Sequence, residues 1–151
     1  MIDSSKLLSR VSANRNLVSR KVLVDLTFDS DYEPFFQPPG WIIGPIWAVL
    51  YTCLAASFLQ TLSKREDLEH FFLITFLFIS QLIINLLWPS VFNSERYLTS
   101  LIMIIVMVVF TTIYAYLTYE KANYASMLVW PYIAWVSFAG LINVAYYLES
   151  Q

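Results

Sequence analysis

The chain has 151 residues, of which 58% are hydrophobic and 13% are charged, and its net charge at pH 7 is −2. So few charges disfavour a soluble domain, and the small negative balance gives no indication of nucleic-acid binding. The charges gather before residue 34 and in three short connections, which predicts one domain at 34–149 behind a polar arm at 1–33. Cys53 is the only cysteine, so an intramolecular disulfide is excluded.

The arm is predicted to have two parts. Residues 5–23 carry leucine and valine at helical spacing among five lysines and arginines, which is typical of a weakly amphipathic basic helix. A helix on an anionic membrane surface, an organellar transit peptide and a solvated tail all agree with this pattern. Residues 25–40 are acidic, aromatic and interrupted by prolines, which predicts an ordered loop or lid. The predicted lid residues are Pro34, Phe35, Phe36, Pro38, Pro39 and the adjoining Trp41.

Four apolar segments follow, at 41–62, 71–92, 98–119 and 126–148, and we label them α1 to α4. None contains Asp, Glu, Lys or Arg, and each is about the 20 residues that span a hydrocarbon core as a helix. The short connections between them predict an all-α membrane protein, a four-helix up-down bundle with antiparallel neighbours. The basic residues of the arm predict that both termini lie on the cytoplasmic side of an inner, plasma or organellar membrane.

Three of these helices carry polar and aromatic residues on one face. These are Trp47 and Tyr51 on α1, Gln81, Asn85 and Trp88 on α2, and Tyr132, Trp135, Ala139 and Asn143 on α4. Helical rise places most of them in the half of the bilayer that faces the loop, with Tyr51 level with Gln81 and Trp47 level with Asn85, which predicts a covered ligand pocket.

Several alternatives remain open for these residues. The amides could simply join neighbouring helices. Trp41, Trp88 and Trp130 lie nearer helix ends and could belong to an interfacial aromatic belt. α3 shows no comparable stripe and is expected to face mostly lipid. His70 is the only histidine and sits at the start of α2, so neither a protein-only metal site nor an acid, base or nucleophile constellation for ordinary catalysis is predicted.

Three blocks of the sequence resemble a known family. "PPGWIIGPIWAVLY" at 38–51, "QLIINLLWPSVF" at 81–92 and "WPYIAWVSFAGLIN" at 130–143 are similar to the diagnostic blocks of the translocator proteins, also called tryptophan-rich sensory proteins or TspO/MBR. The resemblance implies a five-helix membrane protein that binds porphyrins such as protoporphyrin IX and haem, and in animals cholesterol and benzodiazepine-type ligands. It also assigns roles to individual residues: ligand contact and porphyrin breakdown to Trp47 and Trp135, pocket walls to Tyr51 and Ala139, the pocket face of α2 to Asn85 and Trp88, and a covering loop to 34–41.

The sequence departs from the family in two places. Residues 1–33 contain no apolar stretch near 20 residues, so α1 to α4 are expected to match the family's second to fifth helices, without the first. No lysine or arginine follows Tyr147, so the cholesterol-recognition pattern of animal members is missing and sterol is the less favoured ligand.

The sequence thus predicts an integral membrane protein that binds a tetrapyrrole and acts as a sensor, buffer or translocator, with porphyrin or haem as ligand and no permanently bound cofactor. Two alternatives are a light-dependent porphyrin-degrading enzyme and a scaffold that has lost ligand binding. The expected partners are the bilayer and either a second copy of the chain or a partner helix, which could dock where Ala48, Ala55 and Ala56 allow close helix approach.

Overall fold

A computed structural model of the chain describes residues 32–151, together with Ser5, Lys6, Ser9, Arg10 and Ser12. The chain divides into two compact units, Met1–Asp31 and Tyr32–Gln151. Most of the amphipathic helix predicted at 5–23 lies outside the described residues. Everything below concerns the second unit.

Four long helices make up this unit: α1 at Gly40–Ser63, α2 at Phe71–Asn93, α3 at Tyr97–Thr118 and α4 at Asn123–Glu149. All four are long and apolar enough to cross a membrane. The largest departure from the predicted bounds is at α4, which begins at 123 rather than 126. The prediction of an all-α, multi-pass membrane bundle is therefore confirmed.

The helices form a ring in chain order. The backbone of α4 lies close to those of α1 and α3, and the backbone of α2 lies close to that of α3. The fourth seam of the ring, between α1 and α2, is bridged by long side chains, including stacked Phe58 and Phe78 with ring centroids 4.6 Å apart. α1 and α2 thus meet through side chains, while the other seams also bring backbones together.

Small residues explain why α3 and α4 approach closely. A Cβ on Gly140 would lie 3.2 Å from Cγ2 of Ile104, which is tighter than ordinary packing. Ser126 on α4 donates a hydrogen bond of 2.7 Å to the carbonyl oxygen of Ala115 on α3. Such contacts are typical of membrane helices, which gain most of their association energy from close packing and interhelical hydrogen bonds.

The expectation that α3 has no polar stripe is wrong, and α3 is no more exposed than α2. One side of α3 is buried along its whole length, through Ser100, Ile104, Met107, Thr111, Tyr114, Ala115 and Thr118. The hydroxyl of Tyr114 crosses the ring to α1, where it lies 2.8 Å from Oγ of Ser57 and 2.6 Å from Oγ1 of Thr61. Serine, threonine and tyrosine hydroxyls therefore connect α3 to its neighbours by hydrogen bonds, as amides do for α2. A polar group in a membrane bundle must find a partner inside the protein.

α2 ends in a well-defined backbone turn. The amide of Glu95 donates to the carbonyl oxygen of Phe92, and the amide of Arg96 donates to that of Val91. Glu95 takes the left-handed conformation that this pair of bonds requires, with φ of 58°. The turn reverses the chain within a few residues and returns it to the bundle as α3.

Candidate functional site

The centre of the candidate site is a cluster of two phenols and two amides. Tyr51 on α1 donates a hydrogen bond of 2.6 Å to Oδ1 of Asn85 on α2. Tyr132 on α4 donates one of 2.7 Å to Oε1 of Gln81, one turn earlier on α2. We call these four residues the phenol–amide cluster. The cluster joins α2 to α1 at the seam that is bridged by side chains, and it joins α2 to α4 across the ring. Polar groups in lipid need such partners inside the protein.

Trp47 adds an aromatic wall to the phenol–amide cluster. Its ring stacks on that of Tyr51 at 5.3 Å and meets the edge of the Tyr132 ring at 6.4 Å. Trp47 lies on the same inward stripe of α1 as the buried Ile43 and Leu50, yet its indole is only half-buried. The bundle therefore leaves accessible aromatic surface at this level.

Trp135 extends the wall along α4 towards the loop that precedes α1. It lies one turn from Tyr132, and both Trp135 and Ala139 are half-buried. The Trp135 ring lies 5.9 Å from that of Phe138, which in turn lies 6.4 Å from the ring of Phe36 in the loop. A chain of aromatic contacts thus runs from Trp135 to the loop.

The loop itself is irregular from residue 32 to residue 39 and turns at 35–36. Pro34 is buried, Pro38 is half-buried and Pro39 is exposed. Phe35, in contrast, is 99% exposed and packs only on its neighbour Phe36. Trp41 lies in the first turn of α1 and is 77% exposed, so the structure places it on the helix surface and not in the loop.

Two of the predicted pocket residues have other neighbours. Asn143 joins α4 to α3, because its Oδ1 accepts a hydrogen bond from Ser100 and its Nδ2 donates one to the carbonyl oxygen of Tyr97. The structure therefore does not bring Asn143 into the phenol–amide cluster. Trp88 is 4% exposed and stacks on Phe92, so it belongs to the core and not to a lipid-facing belt. Trp130 is 51% exposed, as a belt residue would be.

The comparison with known families decides what kind of bundle this is. The model of the TspO/MBR family matches residues 11–148. This chain belongs to the TspO/MBR family. The match begins within the arm, and the expectation that the family's first helix is missing stays a prediction, because residues 11–33 lie almost wholly outside the described residues.

Curated relatives agree with this membership. The chain is 31% identical to the tryptophan-rich protein TspO of Archaeoglobus fulgidus over 120 residues, which cover 77% of this chain and 74% of the relative. It is 27% identical to the human translocator protein, covering 79% and 72%, and 28% identical to the tryptophan-rich sensory protein of Cereibacter sphaeroides, covering 79% and 73%. The family that the three sequence blocks resemble is therefore confirmed.

Sequence reasoning missed two features of the site. Tyr132 was noted in the α4 stripe but not given a role, although its spacing from Trp135 and Ala139 already put it on the same side of the helix. The second is a hydrogen bond of 2.8 Å from the hydroxyl of Tyr146 to Oε1 of Gln37, which ties the loop to α4. No local sequence pattern predicts that hydrogen bond.

Proposed function

We propose that this protein binds a tetrapyrrole of the protoporphyrin class inside the membrane, against the wall formed by Trp47, Tyr51, Tyr132 and Trp135. The observation that carries the proposal is the half-buried indole of Trp47, in contact with both tyrosine rings of the phenol–amide cluster. A flat and largely apolar macrocycle suits aromatic faces with a few polar groups beside them. The relatives' names, translocator and sensory protein, support a small-molecule role.

The position of the only histidine favours a metal-free macrocycle over haem. His70 is exposed and immediately precedes α2, eleven residues before Gln81 and fifteen before Asn85, so it lies roughly 16–22 Å from the phenol–amide cluster along the helix. A haem iron at the wall would have no histidine ligand from this chain. The missing histidine would not weaken the binding of protoporphyrin IX, because this metal-free macrocycle binds through its ring faces and its edge.

Sensing and buffering require only binding and release, and the accessible wall beside the loop is sufficient for both. Translocation would also require a path to the far side of the membrane. In the half of the bundle beyond the phenol–amide cluster, Ser57 and Thr61 on α1 contact Tyr114 on α3 across the ring, where a path would have to run. The geometry therefore favours a sensor or buffer of porphyrin over a translocator.

The test is a titration of the purified protein with protoporphyrin IX, followed by the porphyrin's own absorption so that the readout does not depend on the number of tryptophans. We expect Trp47→Phe and Trp135→Phe each to weaken binding by about 1–2 kcal/mol, or five- to thirtyfold, because the indole N–H and the larger ring are lost. Trp130→Phe is the matched control, since Trp130 is an exposed indole on the same helix as Trp135. Equal affinities in all four proteins would favour a scaffold whose tryptophans only pack helices.

A further inference from the structure

We propose that Gln81 is a specificity-determining residue, whose side-chain amide nitrogen donates a hydrogen bond to an uncharged oxygen acceptor of the ligand, such as an ester, amide, ketone or protonated carboxyl carbonyl. The inference rests on the proposed function and deepens it, because it names the chemical group that the site recognises. Its basis is an unpaired donor in the middle of the bundle.

Gln81 is completely buried, and its Nε2 has no hydrogen-bond partner. A buried amide nitrogen without an acceptor is costly, and the great majority of buried polar groups in folded proteins are paired with protein or water. The cost is greater at mid-membrane, where bulk water is absent. An acceptor that arrives with a ligand would remove this cost.

The orientation of the Gln81 amide is set by Tyr132. The phenol proton of Tyr132 has Oε1 of Gln81 at 2.7 Å, whereas Sδ of Met107 at 3.8 Å is a much weaker acceptor, and the Asn85 amide also contacts the Tyr132 hydroxyl. A flipped amide would turn Nε2 towards the phenol and deprive that proton of its good acceptor. The nitrogen is therefore the atom left for a ligand, and Tyr132 acts as the positioning residue.

The same arrangement holds one turn along α2, where Oδ1 of Asn85 already accepts from Tyr51. The phenol–amide cluster thus uses both amide oxygens internally, and the unpaired group on Gln81 is a donor. A ligand that supplies an oxygen acceptor can pair with this free donor of Gln81. A ligand that offers only N–H or O–H groups to Gln81 does not.

The acceptor is expected to be uncharged. Gln81 is the eleventh of the 23 residues of α2, so it lies roughly 15 Å from either end of the helix, near the bilayer midplane. α1, α2 and α3 contain no lysine, arginine, aspartate or glutamate, and the only charged residue of α4 is Glu149 at its end. An ionised carboxylate beside Gln81 would have no cation near it, whereas a neutral carbonyl needs only the hydrogen bond.

The experiment compares two neutral porphyrins that differ in oxygen acceptors. Protoporphyrin IX dimethyl ester carries ester carbonyls, and etioporphyrin carries only alkyl groups. Both are titrated into the parent protein and Gln81→Leu in the same detergent, so that partition into micelles cancels when the ester-to-etioporphyrin affinity ratio is compared between the two proteins. We expect the ratio to fall about five- to thirtyfold in Gln81→Leu, while etioporphyrin binds both proteins equally within a factor of two.

A second comparison guards against misfolding, because Gln81→Leu leaves the Tyr132 hydroxyl without its acceptor. Tyr132→Phe is compared with the double variant Tyr132→Phe with Gln81→Leu, in which both partners are apolar and neither leaves an orphan. The ester-to-etioporphyrin ratio should again fall in the variant that lacks the amide.

The possible failures are distinguishable. An unchanged ratio in both comparisons overturns the role of Gln81, leaves tetrapyrrole binding intact and assigns the amide nitrogen to an internal water. If neither porphyrin binds the folded parent protein, the proposed function fails, and the specificity inference fails with it.

Discussion

The hydroxyl of Tyr146 on α4 donates a hydrogen bond of 2.8 Å to Oε1 of Gln37 in the loop that precedes α1. Tyr146 is only 3% exposed, and its ring also packs edge-on against Phe92 of α2 and Tyr32 of the loop. One buried side chain therefore connects the loop with two helices.

This connection predicts that Tyr146→Phe releases porphyrin faster. The variant keeps the ring contacts and loses one hydrogen bond worth about 1 kcal/mol, so the dissociation rate should rise about fivefold while the association rate changes little. Stopped-flow displacement of protoporphyrin IX measures both rates. Tyr147→Phe is the matched control at the next position, and deletion of residues 32–37 should exceed the effect of Tyr146→Phe. Unchanged release after that deletion would rule out a lid.

A second prediction concerns the hydroxyl group of Tyr114. Tyr114→Phe should lower the free energy of unfolding by about 1–2 kcal/mol, because it removes contacts to Ser57 and Thr61 across the ring. Unfolding in mixed micelles measures the loss. Tyr116→Phe removes a hydroxyl from the same helix at a position that is 80% exposed, and it should have almost no effect. Similar losses in both variants would mean that the buried contacts among Ser57, Thr61 and Tyr114 make no specific contribution to the free energy of unfolding.

The seam between α1 and α2 allows a double-mutant test. Tyr51→Phe and Asn85→Leu should each destabilise the bundle, and the double variant should lose less than the sum, with a coupling energy of about 0.6–1.7 kcal/mol. Thr52→Val is a suitable control, because the Thr52 hydroxyl bonds back to Ala48 within α1 and is exposed. Strict additivity would show that the 2.6 Å contact of Tyr51 with Asn85 contributes no measurable stability.

His70 provides a prediction about haem. His70→Ala should leave the affinities for protoporphyrin IX and haem unchanged within about twofold, because the imidazole lies roughly 16–22 Å from the wall along α2. Haem spectra of the parent and the variant should also coincide. A spectral change on mutation would place the haem at the other end of the bundle and contradict the proposed site.

The fold was predictable because its strongest determinant is local. Twenty uncharged apolar residues between charged connections specify a membrane helix almost regardless of neighbours, and the observed bounds agree with prediction to within three residues. The shared face of Gln81 and Asn85 was also predictable, since they lie four positions apart on one helix. Which phenol each amide would meet was not, because a tyrosine side chain reaches beyond one helical turn.

Other parts of the site depend on tertiary placement. The expected layers put Tyr51 level with Gln81, yet Tyr51 bonds Asn85 and Tyr132 bonds Gln81. Gln37 and Tyr146 are 109 residues apart in sequence, so no local pattern could pair them. The buried side of α3 was missed for a different reason: its serines and threonines lie in a strongly apolar run, where single hydroxyls do not interrupt the hydrophobic pattern.

The unequal seams of the ring have a mechanical consequence. Ser57 and Thr61 hold α1 to α3 near the connection at 64–70, whereas towards the loop α1 meets α2 through side chains such as Tyr51. Thr61 and Tyr51 are ten residues apart, about 15 Å along α1, so a tilt of roughly 13° about the hydroxyl trio would widen the seam by about 3.5 Å, the thickness of one aromatic layer. The hydroxyl trio would thus act as a hinge at one end of α1, and the aromatic side chains at the other end would move apart.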